Sequence, residues 1–137
     1  SKFSQDYCLK GFCKRWNYIT VNVQQQEAAK EKQEYNFKGN SIEDKIEPSL
    51  DGLADNKLTQ READLVFGVF APDRYKIETY RKYDITKLRD NYRAIKILKD
   101  RHYGLANYYL SLYMNGATNI FKELPKPELI DYSKYIN

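Results

Sequence analysis

At 137 residues, with 42% hydrophobic and 31% charged side chains, the chain has the composition of a folded protein with room for one modest core, and it is not a disordered polypeptide. The formal charge of +4 is too mild to mark a nucleic-acid binder by itself. The two cysteines, Cys8 and Cys13, match no zinc or redox spacing, and the single histidine, His102, excludes a His-based metal cluster. No apolar run approaches the ~20 residues of a membrane span and no signal-peptide pattern opens the chain, so the expectation is a reduced, soluble, cytoplasmic protein without a membrane partner.

In chain order, Phe3, Tyr7, Phe12 and Trp16 recur at spacings that share one helix face, which predicts a helix packed on a sheet. YITVNV, residues 18–23, is β-branched and uncharged and predicts a buried strand, with Gln24, Gln25 and Gln26 at its C-terminal end. Open α/β sheets place ligands at such ends. Residues 27–57 are polar, with loop signals at Gly39, Pro48 and Gly52, and predict a long surface loop. Thr59 and Glu62 have capping-box spacing for a short helix, and LVFGVF, 65–70, predicts a second buried strand.

Residues 74–101 carry ten basic side chains against four acidic ones, a local excess that suits a nearby polyanion or a plain solvated face. Tyr75, Tyr80, Tyr83 and Tyr92 interleave with them and could stack on bases. ITKLRDNY predicts a short helix. RAIKILK and NYYLSLYM, joined by DRHYGLA, predict a β-hairpin with Gly104 at positive φ, and the NGAT turn leads into a last short strand at NIFKEL before PKP ends regular structure. Strand alternation puts Lys99 and Arg101 on one side and Asp100 on the other.

Three blocks in order, VNVQQQ, LADNKLTQREADLVFGVF and IKILKDRHYG with LSLYMNGATNIFKEL, resemble the C-terminal part of the RecA-like ATPase domain of DnaB-type replicative helicases over roughly residues 18–124. The resemblance implies an α/β fold: the C-terminal portion of a RecA-like domain, a central sheet with flanking helices and a terminal β-hairpin, the whole of 1–137 forming one partial domain. It implies that Gln25, or alternatively Gln24, senses the γ-phosphate of ATP. Lys99 and Arg101 then correspond to the Lys-x-Arg fingers that reach across a subunit interface, and Ala63 and Asp64 to a structural Ala-Asp pair.

The same resemblance implies ATP and Mg²⁺ as cofactors and single-stranded DNA and a hexameric homo-oligomeric ring as partners, with Lys30, Lys32, Lys38 and Lys45 of the 27–57 loop either contacting DNA phosphate or forming a plain solvated loop. Two features depart from the family. His102 and Tyr103 intervene between Arg101 and Gly104, which lengthens the finger turn by one residue, and Glu27 and Ala28 stand where a basic residue often follows the glutamine. No GxxxxGK[ST] phosphate loop occurs in the 137 residues, so the phosphate cradle is expected from elsewhere.

Overall fold

The computed structural model describes residues 3–24, Glu47, Pro48, Leu50 and 61–135. Its architecture is mixed α/β with few helices. A four-stranded antiparallel sheet has the order β1 (Leu65–Phe70), β4 (Tyr92–Asp100), β5 (Tyr109–Asn115), β6 (Ile120–Glu123), and a two-stranded hairpin pairs β2 (Thr79–Tyr80) with β3 (Tyr83–Asp84). A one-turn helix, Ile85–Leu88, runs into a 3₁₀ turn at Arg89–Asn91, as ITKLRDNY leads one to expect. The predicted hairpin is β4–β5, Gly104 has φ 68°, and β6 follows the NGAT turn.

Among the described residues the hydrophobic core lies on one face of the large sheet. Phe70 and Gly68 pair with Ala94 and Lys96, which pair in turn with Ser111 and Tyr109, so these side chains emerge on the same side. Onto that side fold Tyr80, Tyr83, Ile85, Leu88 and Leu124, which form the core with Phe70, Tyr92 and Ala94. The rings meet as tilted or edge-on pairs, with centroids 5.4 Å apart for Phe70–Tyr80, 6.0 Å for Tyr80–Tyr92 and 5.5 Å for Tyr83–Tyr92. Such geometry adds to simple burial because ring edges meet ring faces. Each buried phenol keeps a partner: Tyr83 donates to the Pro125 carbonyl at 2.8 Å, and Tyr92 bonds with Ser111 Oγ at 2.8 Å. Burial raises the Tyr92 hydroxyl pKa to about 12.

Three expectations are corrected. Residues 65–70 form a strand, but an edge strand. Leu65, Phe67 and Val69 are about half exposed on the face opposite the core, because β1 has a sheet neighbour on one side only and the core elements fold onto the other face. Residues 18–23 form no strand. The chain reverses at Asn17 (φ 57°) and runs back along a π-helix at Phe3–Arg15, where Tyr18 N–H donates to the Phe12 carbonyl at 3.0 Å. Cys8 Sγ donates to Asn22 Oδ1 at 3.5 Å and Cys13 Sγ meets Thr20 Oγ1 at 3.1 Å, so these polar contacts tie the stretch to the helix and leave Ile19 and Val23 over 90% exposed. The helix exists as predicted, but Tyr7, Phe12 and Trp16 are exposed and not packed on a sheet.

The basic segment also departs from expectation. Tyr80, Tyr83 and Tyr92 are core residues and Tyr75 stacks on Phe70 at 5.5 Å, so these rings are not a surface for bases. Arg93 is also buried, its guanidinium bonded to the carbonyls of Asp90 and Tyr92 and to the Asp90 carboxylate at 3.1 Å. Part of the cationic excess thus serves the fold.

Within residues 27–57, Glu47 and Pro48 are buried against the core face. A Cβ built on Gly68 would collide with the Pro48 ring, so glycine is required there for close approach. Gly68→Ala should push Pro48 away or strain β1 and destabilise the fold by about 1–3 kcal/mol, the usual cost of overpacking. A shift in the urea midpoint at unchanged slope measures it; no shift would show that Pro48 does not rest there. Among the described residues no helix is long and apolar enough to cross a membrane.

Candidate functional site

The end of β4 gathers the predicted cations. Between Val66–Lys99 and Phe67–Ile97 the register slips, leaving Leu98 as the extra residue of a β-bulge. A bulge bends and twists its strand and re-aims the side chains beyond it. Beyond this one, Lys99 Nζ donates to the Arg61 carbonyl at 3.1 Å, and Arg101 Nη2 donates to the same oxygen at 2.7 Å. The two cations thus share a side, as strand alternation predicts, and converge on one acceptor. Burial lowers the Lys99 ammonium pKa, and the Arg101 charge beside it lowers it further against the pull of Asp64.

Arg101 is held from two directions by Asp64. Its backbone N–H donates to the Asp64 carbonyl at 2.9 Å, and Nη1 donates to Asp64 Oδ1 at 2.9 Å; His102 Nε2 lies 3.9 Å from the same oxygen. Asp64, expected to be a structural partner of Ala63, is thus also the residue that positions the arginine. Both side chains of the pair are about half exposed, and exposed ion pairs contribute only about 0–1 kcal/mol. Arg101 is oriented but not locked, so a stronger anion can take it over.

Asp100 points elsewhere and builds the turn. Its carboxylate accepts the backbone N–H groups of His102 at 3.0 Å, Tyr103 at 3.2 Å and Leu105 at 3.1 Å. Those bonds, led by the one from His102, hold its pKa below the ordinary carboxylate value. They also accommodate the two residues that lengthen the turn. Asp100→Ala should lower the amide-exchange protection factors of His102, Tyr103 and Leu105 at fixed pH, as should protonation of the carboxylate below its lowered pKa. Unchanged exchange rates would mean that the turn is held by other contacts.

A second polar centre was not legible in the sequence. The buried Glu47 carboxylate receives Tyr80 Oη at 2.6 Å, Tyr109 Oη at 2.5 Å and Lys96 Nζ at 2.9 Å. Burial raises its pKa, but the bonds from Tyr109, Tyr80 and Lys96 outweigh that and hold it below the usual value. Lys96 responds in the opposite sense: burial lowers its pKa and the bonds with Tyr109 and Glu47 raise it. Nothing in KIEPSL distinguishes Glu47 from the other acids of the polar stretch; its pocket is created by the pairing of Lys96 with Tyr109 across β4–β5 and by Tyr80 of β2.

Gln24 lies in the exposed irregular stretch after the helix, and Gln25, Lys30, Lys32, Lys38, Lys45 and Thr59 lie outside the described residues. Among the described residues no group of three His, Cys, Asp or Glu side chains gathers as a metal site. Comparison with protein-family models, with curated proteins and with solved structures gave no match, so the functional reading rests on the geometry of these side chains and on their sequence.

Proposed function

We propose that this chain supplies the trans-acting part of a RecA-like, DnaB-type motor that hydrolyses ATP to move on single-stranded DNA. The observation that carries the reading is the convergence of Lys99 and Arg101 on one oxygen at the end of a bulged hairpin strand. Two fixed cations that can share one oxygen acceptor suit a phosphoryl group, whose oxygens gather charge during transfer. Arginine presents a planar fork to two oxygens while lysine adds a point charge, so the pair covers more than one oxygen of the same group.

In this reading the ring is a homo-oligomer, and each hairpin faces nucleotide held by a neighbouring subunit. The phosphates and Mg²⁺ are cradled by a P-loop on that neighbour, and the residues of this chain supply only the stabilising cations. Gln25, or Gln24, reports the state of the γ-phosphate to the 27–57 segment, whose Lys30, Lys32, Lys38 and Lys45 contact the DNA backbone without reading its sequence. Asp64 holds Arg101 between encounters and gives it up because an exposed pair is weak.

The test is ATP turnover by the native gene product assembled with its P-loop, with nucleotide binding measured on the same samples. Loss of turnover in Lys99→Ala and Arg101→Ala with binding retained supports the reading. Full turnover in both variants refutes it.

A further inference from the structure

A groove of about 420 Å³ lies beside the β4–β5 hairpin, lined by the β2–β3 turn (Arg81, Lys82), the residues just before β5 (Asn107, Tyr108) and Lys126 and Glu128 beyond β6. The turn is unusual in its residues. A two-residue hairpin turn with positive φ at both central positions, the type I′ form, favours Asn-Gly, because a Cβ crowds the backbone there. Here Arg81 (φ 47°) and Lys82 (φ 68°) fill both places. Backbone strain of this kind concentrates where a side chain is needed for a task, and the two side chains it presents are both cations.

The surroundings indicate the task. The Arg81 guanidinium lies 3.5 Å from the centre of the Tyr109 ring, so it is pre-oriented at the groove and not waving in solvent. Lys126 brings a third cation. The one acid, Glu128, meets Lys82 at only 3.8 Å, with both side chains largely exposed, and such a pair yields readily to a stronger anion. Tyr108 adds a half-exposed ring on a fixed backbone. Its carbonyl accepts the Ile97 N–H at 2.9 Å, its own N–H donates to the Leu105 carbonyl at 3.0 Å, and the preceding Asn107 N–H donates to the Ile97 carbonyl at 2.7 Å. Three cations beside a rigidly presented open ring fit a phosphodiester strand with a base stacked on the ring.

We infer that this groove, formed by Arg81, Lys82, Tyr108 and Lys126, is a binding site for single-stranded nucleic acid. It is built from residues other than the finger pair, and it requires no nucleotide. It therefore stands or falls independently of the motor reading.

The experiment measures fluorescence anisotropy of a labelled oligothymidylate on the whole chain without nucleotide, across a salt series. Arg81→Asn/Lys82→Gly replaces the cations with the residues the turn prefers, so the thermal midpoint should hold or rise while affinity falls about tenfold or more. The slope of log affinity against log salt should flatten by about 0.7 for each phosphate-contacting cation removed. Tyr108→Ala should weaken binding roughly tenfold through lost stacking and leave that slope unchanged. Unchanged affinity in the turn variant would overturn the site, as would equal displacement of the oligonucleotide by polyglutamate, which would mark the groove as a docking place for acidic protein.

Discussion

Arg101→Ala is expected to lower ATP turnover of an assembled, P-loop-bearing ring by about 10³-fold or more, which corresponds to about 4 kcal/mol of lost transition-state stabilisation. Nucleotide should still bind, because in the proposed motor the phosphates are cradled on the neighbouring subunit. Lys99→Ala should be milder, roughly 10²-fold, since a single ammonium offers one point charge where guanidinium offers a fork. Arg101→Lys should fail to restore turnover for the same reason. The double variant should lose less than the product of the single effects, as expected of groups that act on the same oxygens. Asp64→Ala is the informative companion. It removes a positioning partner and not a cation, so turnover should fall far less than in Arg101→Ala. A collapse as deep as that of Arg101→Ala would assign the chemistry to Asp64, and no effect in either variant would remove the finger reading.

Glu47→Ala is expected to destabilise the fold by about 3 kcal/mol, the scale set by breaking a buried ion pair from one side. It strands Lys96, a mostly buried cation, without its counter-charge and leaves the Tyr80 hydroxyl, buried to 1% exposure, without an acceptor. The same carboxylate predicts an acid limb in the stability profile. Its pKa is depressed in the folded state, so in the range between the folded and ordinary values the unfolded chain binds more protons than the folded one. The stabilisation is therefore complete above the ordinary carboxylate pKa and is lost as pH falls through the depressed value. Urea midpoints of wild type and Glu47→Gln from neutral to acid pH test this. The variant should lie below the wild type at neutral pH and converge with it in acid. Parallel profiles would show that Glu47 titrates alike in both states.

Much of the C-terminal architecture was legible in local pattern. The short helix at ITKLRDNY, the hairpin strands around DRHYGLA, the positive φ of Gly104 and the turn at NGAT all follow from rules acting over a few residues, and each is found where those rules put it. The shared side of Lys99 and Arg101 was legible too, because strand alternation depends on nothing distant. Residues 18–23 show the limit of such rules. A β-branched, uncharged run can form a strand only if a ladder partner is present, and here its polar groups go to Cys8, Cys13 and the Phe12 carbonyl of the preceding helix.

What the sequence determined by itself was therefore periodicity, turn chemistry and the identity of a cation pair, together with the resemblance those residues carry. The tertiary structure decided which of many similar side chains matter. Among thirteen tyrosines it buried Tyr80, Tyr83 and Tyr92 and left Tyr108 open; among the acids of a polar stretch it enclosed Glu47; and among the cations of 74–101 it turned Arg93 and Lys96 inward and set Arg81 over a ring. The physical reason is that burial and pairing are properties of contacts between distant segments. Lys96 meets Glu47 across 49 residues and Tyr109 meets it across 62, separations over which no local propensity carries information.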